Sequence, residues 1–250
     1  MAVLEDSTRR FHPFVEALKK AMLRKLFTML PLWAAYGFGQ RFEMGAEVGV
    51  PVTPAFETGS SRYGLGFGEK ATSATRRYTV GPMAGLWFPH GFGVEVDALY
   101  TRLGFDHDLY QTALVTHTRV TANSWELPIL GQIRFRGRSR PGPFVEAGIS
   151  FRFVSGVSAI SVATLSFYGP VGSSTGTTSA VLNNRSTRGA VAGVGVDLGG
   201  SFLRLRPEIR YTRWGSDRNL ETGPGRSYPI PVLYSNQNQA EVLLGIVFRP

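Results

Sequence analysis

The sequence predicts an all-β fold, an eight-stranded antiparallel, up-and-down transmembrane β-barrel. Eight segments of roughly ten residues alternate apolar and polar side chains, as expected for strands with one face on lipid and the other on a polar lumen. The connections between them run long, short, long, short along the chain, which is typical of bacterial membrane barrels. No apolar run approaches the ~20 residues that a membrane-spanning helix needs. Together these observations favour strands over helices as the membrane-crossing elements.

The segment from Ser124 to Phe153 shows the alternation most clearly. Its first strand turns Trp125 and Ile129 to one face and Glu126 and Arg134 to the other. The sequence RGRSRPG then predicts a turn, because Gly and Pro interrupt regular structure. A second strand of the same kind follows. This segment therefore predicts a hairpin with an apolar outer face and a charged inner face.

Residues 1–40 are predicted to be an N-terminal extension with a signal-peptide helix, and residues 41–250 to be the barrel domain. The signal-peptide pattern consists of positive residues, an apolar run and small residues before the cleavage point: Arg24-Lys25, Leu26 to Phe38, and Gly37 and Gly39. Cleavage is expected near Gly39-Gln40. An amphipathic or buried helix is the alternative interpretation. Since residues 1–21 have no signal character of their own, Met22 is the preferred start.

The remaining strands follow in order after residue 40. Apart from the hairpin above, strands are predicted at 42–50, 77–88, 92–105, 189–198, 202–214 and 239–248. Tight turns are predicted at 89–91 and 199–201, and long loops at 54–76, 155–187 and 215–236. Residues 106–122 are predicted to be a loop or strand extensions above the membrane. The outward parity of the third strand slips near Tyr100 to Leu103, which suggests a β-bulge.

Charged residues at alternate strand positions are predicted to form a network inside the barrel: Glu43, Glu47, Glu95, Asp97, Glu126, Arg134, Arg136, Glu146, Arg152, Asp197, Arg204, Arg206, Glu208, Arg210 and Glu241. An eight-stranded barrel is only wide enough for side chains to fill. Charges there must pair, because an unpaired buried ion is costly. We interpret the network as a structural set of salt bridges, in which Glu241, Glu43 and Glu47 are expected to supply the charge opposite Arg206 and Arg210. A narrow ion path or gate is the sharper alternative.

Aromatic residues at the strand ends predict two girdles at the membrane surfaces. With both termini in the periplasm, the periplasmic girdle is expected to contain Phe42, Phe88, Phe92, Phe135, Phe202 and Phe248. The outer girdle is expected to contain Tyr78, Tyr100, Trp125, Phe153 and Tyr211. A soluble, lipocalin-like barrel is the structural alternative, but it would turn apolar residues inward around a ligand.

Other patterns point only weakly to chemistry. Asp106-His107-Asp108 with His117 could bind a metal, and the same histidines lie near Ser124 and Glu126, as a hydrolase would require. His90 has no nucleophile beside it. The glycines Gly193, Gly195 and Gly199 lie in a strand with no helix after it, so they do not form a phosphate-binding loop; they are expected to let the strand approach bulky lumen side chains. We predict no catalytic residues, cofactor or metal.

The chain is basic, with a net charge of +9 and a sequence pI near 10.2. A basic chain suggests nucleic acid as a partner when its charges cluster on one face. Here the arginines are spread singly along strands and loops. Nucleic-acid binding is therefore not expected. The absence of cysteine leaves a periplasmic or surface location open.

Three segments resemble the family of small eight-stranded outer-membrane β-barrel proteins that includes the OmpA transmembrane domain. They are Trp125-Glu126-Leu127-Pro128-Ile129-Leu130, Pro143-Phe144-Val145-Glu146-Ala147-Gly148, and Arg206-Pro207-Glu208-Ile209-Arg210-Tyr211. The resemblance covers about residues 41–248 and implies a bacterial outer-membrane location and the barrel-assembly machinery as a transient partner. The family usually ends on an aromatic residue, whereas here Arg249-Pro250 follow Phe248.

The predicted function is that of a non-enzymatic, integral outer-membrane protein with a closed lumen and four long surface loops, serving envelope integrity or adhesion. Its other expected partners are outer-membrane lipid and an unidentified surface ligand, and it is expected to be monomeric. A low-conductance channel for small solutes is the alternative. A lipid-modifying enzyme is a third possibility from another class.

Overall fold

The computed structural model describes residues 41–62, 64, 66–135, 142–165, 172–178, 186–200, 202–215, 219–221 and 232–249. The predicted signal-peptide helix and the extension before residue 41 lie outside these residues, as does Arg136 of the predicted lumen network. Within the described ranges, no helix is long and apolar enough to span a membrane.

The described chain forms β-strands and one short 3-10 helix, Pro89–Gly91, between β4 and β5. The strands are β1 (Arg41–Pro51), β2 (Gly59–Arg62), β3 (Phe67–Ser73), β4 (Thr79–Trp87), β5 (Phe92–Asp97), β6 (Leu99–Gln111), β7 (Leu114–Arg134), β8 (Gly142–Leu165), β9 (Gly172–Thr178), β10 (Ser186–Gly199), β11 (Leu203–Trp214), β12 (Asn219–Glu221), β13 (Val232–Tyr234) and β14 (Asn238–Phe248).

Eight strand positions form a closed antiparallel ring in which sequential strands are neighbours. In order, they are β1, β4, β5 with β6, β7, β8, β10, β11 and β14. β5 and β6 share one position because both pair with β4 and β7, and only Ala98 separates them. The pairing of β1 with β14, which sets Met44 opposite Phe248, closes the ring. The predicted eight-stranded, up-and-down barrel is confirmed.

The two ends of the ring differ in their connections. At one end, which we call the turn end, His90 (φ 73°) and Gly91 (φ 86°) reverse the chain in the left-handed backbone region. Gly199 (φ 123°) does the same between β10 and β11. Both ends of the described barrel also lie here, because Arg249 donates its backbone N–H to Phe202 and Arg41 lies opposite Trp87. We call the opposite end the loop end.

Several strands continue well beyond their predicted bounds at the loop end. β7 has 21 residues and β8 has 24, about twice the 9–11 residues that a strand needs to cross a bilayer. Residues 106–122 are therefore strand extensions, joined by a tight turn at residues 112–113. The predicted loops at 54–76, 155–187 and 215–236 are corrected in the same way, because they contain β2 and β3, the end of β8 with β9, and β12 and β13.

The predicted β-bulge near Tyr100 to Leu103 is wrong. The register of β5 and β6 against β7 is continuous, with Val96 opposite Ile129 and Leu99 opposite Glu126. Alternate residues face inward without interruption from Gly93 to His107. In this stretch the residue types on the two faces change, but the same alternate positions continue to face inward. A register shift does occur between β7 and β8, at Thr121/Asn123, where Gly156 on β8 has a φ of 60°.

Candidate functional site

The outer surface of the barrel carries a belt of apolar side chains. Large apolar residues on six strands are between 40% and 59% exposed in this belt: Met44, Val94, Ile129, Ile149, Ile209 and Leu244. Aromatic side chains lie toward both rims. Phe42, Phe88, Phe92, Phe135, Phe202 and Phe248 are exposed at the turn end, while Trp125, Phe153 and Tyr211 are exposed, and Tyr78 and Tyr100 half-buried, toward the loop end. The belt and its rims have the chemistry of a lipid-facing surface.

The lumen at the turn end is built around two acidic side chains, in what we call the turn-end layer. The Glu43 carboxylate accepts hydrogen bonds from Arg134 (2.9 Å), from Arg206 (3.1 Å) and from the Trp87 indole N–H (2.8 Å). Asp197 lies 2.5 Å from Arg134 and 3.0 Å from Arg206. Arg204 and Arg249 stand at 3.5–3.6 Å from Glu43. Cations outnumber anions in this layer.

The middle of the lumen has the opposite balance. Arg210, on β11, donates to Asp97 at 2.9 Å and to Glu146 at 3.1 Å. Its guanidinium also lies 2.7 Å from Glu208, 3.8 Å from Glu47 and 3.9 Å from Glu95. Of these carboxylates, Glu95 also contacts Arg206. We call this group the middle layer: one arginine surrounded by five carboxylates, all buried.

A third set of polar residues lies toward the loop end. Arg152 contacts Glu126 at 2.5 Å and stacks over the Trp214 ring at 3.9 Å. Gln239 links this pair to Glu241 through a hydrogen bond of 2.7 Å, and Thr79 donates to the same carboxylate at 3.3 Å. These contacts satisfy most of the polar atoms in the loop-end layer, as buried polar groups require.

An apolar layer replaces the charges beyond Thr101 on the inner face. It consists of Phe56, Leu103, Phe105, Val120, Ala122, Val154 and Ala159. Phe56 comes from the β1–β2 connection and packs edge-on against Phe105, with ring centroids 5.6 Å apart. A hydrophobic core therefore lies between the charged lumen and the loop end.

The outer face of the same strands becomes polar beside this apolar layer. Arg119 forms a bidentate pair with Asp106 at 2.7 and 2.9 Å, and His117 lies 2.5 Å from Asp108. Arg102 donates to Asn123 at 2.6 Å. We call residues 102–123 and 154–165 the extension. Its inner face is apolar and its outer face is mainly polar, with Tyr110, Val115 and Ile160 also exposed there, whereas the belt is apolar outside and charged inside.

Two lumen glycines on β10 make room for large neighbours, as the sequence predicted. A Cβ atom on Gly193 would meet the Glu146 carboxylate, and one on Gly195 would meet the Phe144 ring. Both contacts would be shorter than Cβ contacts in real proteins, so any side chain at either position would displace the Glu146 carboxylate or the Phe144 ring. The Glu146–Arg210 contact therefore depends on Gly193.

The structure places the described members of the predicted charge network on the inner face. They are Glu43, Glu47, Glu95, Asp97, Glu126, Arg134, Glu146, Arg152, Asp197, Arg204, Arg206, Glu208, Arg210 and Glu241. Glu241 differs from expectation, since it bonds to Gln239 and Thr79 while Arg210 reaches across to Asp97. Trp87, Trp214 and Arg249 were not predicted. Each lies two positions after another inward-facing residue of β4, β11 or β14, so continuing the alternation along these strands would have found them.

The structure separates the residues considered for metal binding or hydrolysis. Asp106 and Asp108 face outward, whereas His107 is buried on the inner face, 3.6 Å from Glu69. Ser124 is buried in the lumen, and His117 lies outside on the same strand. Among the described residues, Asp108 and His117 meet at 2.5 Å on the outer face, but His107 and Ser124 face inward and do not join them.

Comparison with known proteins gives one family match. The model of the family described as outer membrane protein beta-barrel domain matches residues 31–215. Among solved structures, the chain is similar to the outer membrane protein OprG from Pseudomonas aeruginosa, at 12% identity and a TM-score of 0.47, covering 84% of this chain and 95% of that one. It is also similar to Neisserial surface protein A, at 15% identity and a TM-score of 0.36, covering 85% and 99%. No curated protein sequence matches the chain.

Proposed function

The chain belongs to the outer membrane protein beta-barrel domain family. We propose that this member is a closed barrel that spans the outer membrane and presents its extension at the cell surface. Its role in this proposal is structural or adhesive, without catalysis. The observation that carries the proposal is the inversion of polarity along β7 and along the strand position that β5 and β6 share. It divides each of them into a length suited to lipid and a length suited to water.

The filled lumen supports a closed barrel. Three polar layers occupy its cross-section in sequence, and eight strands leave room only for side chains. The apolar layer follows at the loop end, where ions or polar solutes would have to leave water to pass. A low-conductance channel is the alternative, and a conductance measurement separates it from the proposal. A lipid-modifying enzyme is the third candidate, and a lipid-turnover assay tests it.

The extension supports presentation at the surface. Its outward pairs, Arg119 with Asp106 and His117 with Asp108, suit water and would be costly in lipid. Short turns face the periplasm in bacterial barrels and longer connections face outward. We therefore propose that the turn end and both chain termini are periplasmic. Outer-membrane lipid, the barrel-assembly machinery and an unidentified surface ligand are the proposed partners of a monomeric protein.

Cysteine labelling in intact cells tests this orientation, since the chain has no cysteine of its own. Thr112→Cys places a thiol at the tip of the β6–β7 extension, and Gly200→Cys places one at the turn end, where a Cβ atom would meet only the Leu203 carbonyl oxygen, at 4.0 Å. A membrane-impermeant maleimide should label the first variant in whole cells and the second only after the outer membrane is opened. The reverse labelling would contradict the proposal.

A further inference from the structure

The middle layer of the lumen carries more negative charge than its arginines can balance. Five carboxylates face Arg210, and the other arginine in reach, Arg206, is shared with Glu43 and Asp197 of the turn-end layer. Both guanidiniums are at least 98% shielded from solvent. A buried carboxylate without a counter-charge is strongly destabilising. The layer therefore needs further positive charge, from protons or from a bound cation.

Among the described residues, four carboxylate oxygens of this layer without a hydrogen-bond donor belong to Glu47, Glu95 and Asp97. The two oxygens of Glu208 are also without one, although Arg210 lies 2.7 Å from one of them. Neither carboxylate oxygen of Glu47 has a hydrogen-bond donor among the described residues, although its side chain is only 1% exposed. Its nearest cation is Arg210, at 3.8 Å. Glu95 and Asp97 each leave one further carboxylate oxygen without a donor. Buried polar atoms are almost always satisfied, so these four oxygens are suited to accept a further positively charged ligand.

The strand register explains how these three carboxylates meet. β4 lies between β1 and β5, and it sets Gly81 opposite Glu47 and Gly85 opposite Glu95. With no side chain at either glycine, acids from the two flanking strands can approach each other above β4. One oxygen from each of Glu47, Glu95 and Asp97 lies within 4.8 Å of the other two. Oxygens bound to one calcium ion at 2.3–2.6 Å are separated by up to about 5 Å.

We propose that Glu47, Glu95 and Asp97 bind a hard divalent cation, and that calcium is the best fit. The site offers oxygen ligands alone, which hard cations prefer. Calcium accepts irregular sets of carboxylates, whereas magnesium requires near-ideal octahedral geometry and retains water. The bound ion offsets the surplus charge around Arg210 and joins β1 to β5. It thereby stabilises the closed lumen.

Folding in the presence of calcium tests this site, because a buried ion must enter as the barrel closes. The urea-unfolded chain would be folded into zwitterionic detergent micelles free of lipopolysaccharide, with radioactive calcium or with EGTA, and passed through a gel-filtration column. We expect one retained calcium ion per wild-type barrel, and a higher Tm than that of the barrel folded in EGTA.

Glu47→Gln and Asp97→Asn should each abolish calcium retention and the calcium-dependent rise in Tm. Two variants are needed because either alone could impair folding, which circular dichroism would show. Glu126→Gln is the matched control, since it removes a lumen carboxylate from the loop-end layer and should leave retention unchanged. A wild-type barrel that folds but retains no calcium would overturn the proposal, because protons would then neutralise the layer. Retention by folded Glu47→Gln would equally overturn it.

Discussion

At the scale of single residues, Arg206 links two layers of the lumen. It is fully buried and contacts Glu43 at 3.1 Å, Asp197 at 3.0 Å and Glu95. Its planar guanidinium suits this position because several N–H groups can each meet a different carboxylate. Glu43 and Asp197 keep other arginine partners without it, but Glu95 would keep only Arg210, at 3.9 Å.

Arg206→Ala should therefore lower the free energy of unfolding by up to about 3–5 kcal/mol, because it leaves a buried carboxylate short of its counter-charge. Urea titration of the barrel in lipid vesicles measures this change. Arg119→Ala is the control, since it removes an exposed pair with Asp106 and should change stability little. If Arg119→Ala destabilised the barrel as much as Arg206→Ala, the structural role of the lumen network would be refuted.

His107 in the extension predicts a pH dependence outside the lipid belt. Burial lowers its pKa below the usual 6.5, and the neighbouring Glu69 only partly opposes this effect. The unfolded chain therefore binds a proton at a pH where the folded chain does not, so stability falls as the pH drops from about 6.5 toward the lower folded pKa. His107→Phe should remove that loss, as measured by urea midpoints at pH 5 and 7.5. An unchanged pH dependence in the variant would count against this assignment.

Sequence alone could assign most lumen residues to the correct face, because successive side chains in a strand point to opposite faces of the sheet. It could assign only part of their partners. Of the expected partners of Arg206 and Arg210, Glu43 and Glu47 are found beside them and Glu241 is not. Arg210 on β11 instead reaches Asp97 on β5, four positions away in the ring. Long side chains cross a narrow lumen, so the contact depends on ring closure and not on strand order.

At the scale of elements, β7 passes through two environments. From Trp125 to Ile133 its outward residues are apolar, and from Asn123 toward Leu114 they include Arg119 and His117. Its inward residues change the other way, from Glu126 to Ala122 and Val120. The same exchange of polarity occurs in the neighbouring β6, where a bulge was wrongly predicted near Tyr100 to Leu103. A one-residue slip would produce the same sequence pattern.

Matched substitutions on β7 test where the lipid-facing length ends. Ile129→Arg should cost about 2–4 kcal/mol, because lipid near the midplane cannot solvate the charge. Val115→Arg, also outward but in the extension, should cost little because water reaches it. Unfolding free energies in vesicles give both values. Similar costs at the two positions would mean that the boundary near Trp125 is misplaced.

The inner and outer faces of the belt can be compared in the same assay. Leu244→Arg, on the outer face, should cost about as much as Ile129→Arg. Gln132→Arg should cost far less, since this buried side chain already donates to Glu146 at 2.9 Å and lies beside the acid-rich middle layer. A larger loss at Gln132 than at Leu244 would contradict the assignment of faces.

At the scale of the whole molecule, closure of the barrel could be predicted from the sequence pattern and from the properties of lipid. Alternating connections and ten-residue strands predicted an antiparallel ring, and lipid permits no unpaired strand edge. The length of the extension could not be predicted, because the outward residues of its strands do not follow the apolar pattern of a membrane strand. Its apolar interior depends on Phe56, which arrives from a distant connection and packs on Phe105. Contacts of that kind are invisible until the ring is closed.

Single-channel recording in planar lipid bilayers tests the closed lumen most directly. The wild-type barrel, folded and inserted as a monomer, should show no stable conductance steps, because three charged layers and the apolar layer lie in succession across its narrow lumen. The double variant Phe56→Ala with Phe105→Ala serves as a comparison that thins the apolar layer while leaving the ion pairs in place. Large, stable single-channel currents from the wild-type protein would contradict the closed barrel and favour the channel.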